Sequence, residues 1–107
     1  MKMNYFVFGT NNKEKAVAFY DELFDACGLN KMQGEGRMTL WGNEEFMFSI
    51  AEPFDDNPAS NGNGTMLGLH VDSLEEVNRL HQKALNLGGM SEGEPRVRSN
   101  MHSAYVR

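Results

Sequence analysis

The chain repeats a local pattern at a fixed spacing. Seven residues before Asn12, which heads one amphipathic segment, stands Tyr5 in an aromatic and β-branched run; seven before Ser73, which heads another, stands Met66 in a similar run. A strand that feeds a helix twice in this way restricts the chain to two like modules, each burying its helix on its own strands. With 107 residues there is room for both modules in one domain. The 40% of hydrophobic and 10% of aromatic residues can furnish a core, since a chain near this size hides roughly two thirds of the surface its unfolded form exposes.

The first module opens with a strand over Asn4 to Phe8, placing Tyr5 and Val7 on one face and Phe6 and Phe8 on the other. Ala16, Val17, Tyr20, Leu23, Phe24 and Cys27 then recur at helical spacing. Asn11 with Glu14 supplies a capping box, and Gly28 is placed to end the helix in the left-handed conformation. Arg37 to Trp41 and Glu45 to Ala51 alternate, and Gly42-Asn43 between them predicts a two-residue hairpin turn. Glu52 to Gly64 is rich in turn formers and reads as a loop, long enough to suggest a functional or linking role.

The second module restarts with a strand over Thr65 to Val71. Ser73 with Glu76 makes another capping box, and Leu74, Val77, Leu80, Ala84 and Leu87 form the apolar stripe of a helix that Gly88 and Gly89 end. Met90 to Val97 reads as a strand or turn, and His102 to Val106 as a strand. The expectation is an α+β fold of two βαβββ modules, the first spanning about 1–55 and the second about 65–107. The second is short by one strand, and the ending Ala104-Tyr105-Val106-Arg107 reads like the middle of a strand.

Ten Lys and Arg stand against 15 Asp and Glu, a net charge of −5. With no basic cluster to neutralise a run of phosphates, the composition argues against nucleic acid and against an anionic membrane surface. Apolar runs are far shorter than the roughly 20 residues of a membrane span, and no signal-like segment opens the chain, so the expectation is a cytoplasmic protein. Cys27 is the single cysteine and reads as a small buried hydrophobe.

Gly9 to Phe24 (GTNNKEKAVAFYDELF) resembles the opening helix of the vicinal oxygen chelate superfamily, which includes glyoxalase I, bleomycin-resistance proteins and extradiol dioxygenases. Pro53 to Thr65 (PFDDNPASNGNGT) and Ala84 to Arg98 (ALNLGGMSEGEPRVR) resemble its central and late segments. The resemblance implies a curved mixed sheet around a cavity, formed by a single glyoxalase/bleomycin-resistance-like domain over 1–107. In its enzymatic members, it also implies a divalent metal held by His, Gln or Glu. The positions that would carry two of those ligands are here Tyr5 and Met66, and the third lies on a closing strand beyond Arg107. Phenol and thioether are poor ligands for a hard or borderline ion, so the reading is no metal site, no cofactor and no metal-dependent catalysis.

If Met66 stands at the ligand position, alternation brings Gly68 and His70 to the same cavity face, which makes His70 the best surviving acid/base candidate. Glu52 is a second, weaker one, near where some members offer a carboxylate. The expected cavity lining is Tyr5, Val7, Trp41, Phe48, Met66, Gly68, His70, His102 and Tyr105. His81 reads as a packed helix residue, and Gly62 and Gly64 as turn residues, because no helix begins directly after them to hold a phosphate.

The function expected on these grounds is metal-free binding of a small apolar or aromatic molecule. The alternatives are an enzyme of lyase, isomerase or dioxygenase type with a rearranged site, and an inactive family member. The unpaired edge at the final strand further predicts a homodimer that covers it.

Overall fold

A computed structural model describes residues 1–107. Its contacts divide the chain into two units, Met1–Gly64 and Thr65–Arg107. The first unit runs β1 (Tyr5–Gly9), α1 (Lys13–Asp25), β2 (Asn30–Gln33), β3 (Met38–Gly42) and β4 (Met47–Ala51), a full βαβββ module. Its strands lie in the order β1-β4-β3-β2, with β1 parallel to β4 and the other pairs antiparallel.

Register explains the core of this unit. Phe6 pairs with Phe48, Phe8 with Ile50 and Trp41 with Phe48, so these side chains share one face of the sheet. Helix α1 lays Tyr20 and Phe24 onto that face, with ring centroids 4.7 Å and 5.0 Å from Phe48. Phe24, Trp41 and Phe48 are fully buried. The Trp41 indole N–H donates to Asp21 Oδ1 at 3.0 Å, so the ring is buried without losing a hydrogen bond. Lys31 pairs with the other oxygen of the same carboxylate at 2.8 Å.

Three local expectations shift. The helix cap is Asn12, whose side chain accepts from Lys15 N, rather than Asn11 in a box with Glu14. The hairpin turn spans Asn43–Phe46 instead of Gly42-Asn43: Asn43 N donates to Phe46 O at 3.1 Å, and Asn43 Oδ1 accepts from Glu45 N and Phe46 N. Gly42 stays in β3, where a Cβ would stand 2.8 Å from Phe46 O. Strand β2 is an addition, and its residues Asn-Lys-Met-Gln are exposed throughout, so they carry no alternation to read.

The second unit runs α2 (Leu74–Asn86), β5 (Ser91–Arg98) and β6 (Met101–Val106), with β5 and β6 antiparallel. Ser73 caps α2 by accepting from Glu76 N at 3.1 Å. Gly88, at φ +107°, turns the chain out of the helix. Ser99 and Asn100, both at positive φ, form the two-residue turn between β5 and β6. His81 and Ala84 are the buried residues of α2, and His81 Nε2 lies 3.2 Å from Ser91 Oγ.

The strand expected over Thr65 to Val71 is not formed. In the first unit the neighbour of the opening strand is β4, the module's last. The second unit has β5 and β6 after its helix and no strand in β4's place, so this segment has no ladder to join. Cys27 is exposed rather than buried, because it lies past the last turn of α1, next to Gly28.

Candidate functional site

On the sheet face opposite α1, the C-terminal ends of β1 and β4 and the loop after β4 enclose an open pocket of about 410 Å³. Val7, Gly9 and Ala51 supply strand residues to it, and Pro53, Phe54, Pro58 and Ala59 supply an apolar rim. Arg37, Glu52, Asp55, Asn57 and Ser60 contribute the polar groups. Every lining residue belongs to the first unit.

The rim is ordered by its own chemistry. Asp56 N donates to Pro53 O at 3.2 Å, closing a turn whose corner is Phe54, and Asp56 adopts a left-handed φ of 62°. The Asp55 carboxylate accepts from Asn57 N and Asn57 Nδ2, each at 3.0 Å, and these hydrogen bonds lower its pKa. Asn11 pins the far end of the loop: its Nδ2 donates to Ala59 O at 2.9 Å, and its Oδ1 accepts from Ala59 N at 2.6 Å. Gly9 permits this approach, since a Cβ there would stand 3.2 Å from the Ala59 Cβ.

Arg37 follows Gly36, which has a φ of +81° and whose carbonyl accepts from Lys13 Nζ. The Arg37 carbonyl accepts from Glu52 N at 3.2 Å, and its Nη1 donates to Glu52 O at 2.7 Å. The guanidinium lies over the Phe54 ring, 5.6 Å from its centroid, a cation–π contact. This corner therefore presents a fixed cation beside an aromatic ring that is 87% exposed.

The structure gathers two of the expected site residues here, Val7 and Glu52. Tyr5 shares Val7's face and is exposed, two residues earlier on β1. Trp41 and Phe48 are core rather than cavity wall, because the register turns both toward α1. With no strand at 65–71, alternation does not gather Met66, Gly68 and His70 onto a wall; Met66 and His70 are solvent-exposed. His102 lies within β6, not before it, and faces α2, its Nε2 3.3 Å from Asn78 Oδ1. Tyr105 points to the opposite face of β6, under the Arg98 guanidinium at 5.2 Å. Sequence reading marked the Glu52–Gly64 loop for a functional or linking role without singling out Arg37, Phe54 or the other rim residues. The usable signal was an arginine directly after a glycine turn and a proline–aromatic pair at the start of a long loop.

No family model and no curated protein matches the chain. Among solved structures, a glyoxalase/bleomycin resistance protein from Albidiferax ferrireducens is 28% identical, with a TM-score of 0.91 over 97% of this chain and 87% of that one. The fold is that of the vicinal oxygen chelate superfamily. A hypothetical protein from S. aureus shares it at 22% identity and a TM-score of 0.77, over 100% of this chain and 83% of that one. So does a lactoylglutathione lyase from Agrobacterium tumefaciens, at 18% identity and 0.67, over 97% and 83%.

The metal that enzymatic members of the vicinal oxygen chelate superfamily hold does not fit the residues present. Tyr5 and Met66 offer a phenol and a thioether, and both side chains are more than half exposed. In neither unit do three His, Cys, Asp or Glu side chains converge on a point where an ion could sit. No helix is long and apolar enough to cross a membrane.

Proposed function

We propose that the protein binds a small organic molecule, without a metal, in the pocket between the β1–β4 strand ends and the Pro53–Ser60 loop. The pocket itself carries this reading. Its volume of about 410 Å³ falls within the range of small-molecule sites, and its wall combines an apolar rim with a few placed polar groups. The fold supports the reading, because the vicinal oxygen chelate scaffold includes proteins described as bleomycin resistance proteins. What a member does is set by its site rather than its scaffold.

The test is an amide NMR titration of the full chain with a panel of small aromatic compounds, in the presence and absence of EDTA. Saturable shifts confined to Arg37 and residues 51–60, unchanged by EDTA, are the expected result. Binding that vanishes with EDTA, or no saturable shift at these amides, would overturn it.

A further inference from the structure

We propose that the Arg37–Phe54 corner of this pocket is a subsite for a planar organic anion, an aromatic or conjugated carboxylate, whose charge sits on the guanidinium and whose ring lies along Phe54. The inference rests on the binding reading above and adds the chemical class of the ligand.

Arg37 is the one cation lining the pocket. A guanidinium carries five N–H donors in a planar fork that matches a carboxylate. Here one donor goes to the Glu52 carbonyl, and no carboxylate forms a salt bridge with the group, although Glu52 and Asp55 line the same pocket. Asp55 turns its oxygens onto Asn57 in its own loop, and Glu52 meets Arg37 through its main chain. The guanidinium is also held before any ligand arrives, by the Glu52 carbonyl and the Phe54 ring, so little rotamer freedom remains to be lost on binding.

Phe54 supplies the second half of the argument. Its ring is 87% exposed at the corner of a closed turn, with the guanidinium carbon 5.6 Å from its centroid. A flat ligand laid along the exposed ring removes apolar ring surface from water. A net charge of −5 gives an anion no long-range attraction to the protein, so recognition depends on the local fork.

The experiment titrates the full chain with 1-naphthoate, its neutral analogue 1-naphthylmethanol, and inorganic phosphate, for wild type, Arg37→Gln, Arg37→Lys and Phe54→Leu. Naphthoate is expected to bind about tenfold tighter than the alcohol, the difference a charge-assisted hydrogen-bonded pair provides. Arg37→Gln removes that preference, so that naphthoate and the alcohol bind with similar affinity. Arg37→Lys restores part of it, since lysine keeps the charge without the fork. Phe54→Leu weakens naphthoate and the alcohol by similar factors.

Equal affinity for the two naphthyl compounds, or naphthoate binding untouched by Arg37→Gln, overturns the anion assignment while the pocket stands. Phosphate binding as tightly as naphthoate overturns the planar-ligand half. No shift at residues 51–60 with any probe overturns the binding reading itself.

Discussion

The two units begin from the same local grammar and finish differently. In Met1–Gly64, Phe24, Trp41 and Phe48 are each no more than 2% exposed, inside a sheet of four strands. In Thr65–Arg107 the buried side chains are His81 and Ala84, and the sheet has two strands. Both helices are capped by a polar side chain at their first turn, and both end at a glycine with positive φ. The difference lies in pairing: β1 finds β4 beside it, whereas Thr65–Val71 finds no strand. Strand propensity without a neighbour leaves a segment without a ladder and largely in solvent, because a strand's hydrogen bonds lie outside itself.

Amide exchange should show the contrast at its widest. Residues 47–51 are expected to exchange slower than residues 65–71 by a factor on the order of a thousand or more, as ladder opening approaches global unfolding in one and costs nothing in the other. Equal rates would break the comparison.

Trp41→Ala removes the largest buried side chain of the first unit. It is expected to cost about 3–5 kcal/mol in urea denaturation followed by circular dichroism. A glycine pair sharpens the second unit. At Gly89 a Cβ would stand 2.7 Å from Val106 Cγ1 and 2.9 Å from Ala84 O, so Gly89→Ala should cost about 1–3 kcal/mol by thermal unfolding. Gly68→Ala meets nothing within 4 Å and should stay within about 0.5 kcal/mol of wild type.

The caps should not distinguish the units. Asn12→Ala and Ser73→Ala each remove one side-chain bond to an orphan amide, and each should cost about 1 kcal/mol in the same assay. The smallest effect is confined to alkaline solution. Burial raises the pKa of Tyr20 above 10.0, so its contribution is present below that pH and is lost as pH rises through the folded value. Wild type should therefore lose stability above about pH 10 more steeply than Tyr20→Phe, measured as midpoints against pH.

Local signals in the sequence identified both helices, the Ser73 cap, the Gly28 and Gly88 stops and the central strands, because each rests on residues adjacent in the chain. Strand β2 was illegible since an edge strand exposed along its whole length, with Met32 its one apolar residue, has no pattern to impose. Thr65–Val71 was misread for the opposite reason: its composition suits a strand, and the missing ingredient is a partner. At the pocket, Val7 was legible from strand parity, and Glu52 from its strand end together with the family resemblance. Trp41 and Phe48 were assigned to the wrong face, since alternation gives two faces without saying which one a helix covers. Arg37 and Phe54 stand 17 positions apart and meet through a loop turn that the sequence signals only as a run of turn formers.

The Asn11 amide joins residues 48 positions apart, and it does so by addressing only the main chain of Ala59. Loop side chains take no part in that bracket, and the side-chain hold within the loop is local, between Asp55 and Asn57. Substitutions elsewhere in the loop can therefore change the chemistry of the pocket wall without unfastening its rim, so this wall can drift while the scaffold stays the same.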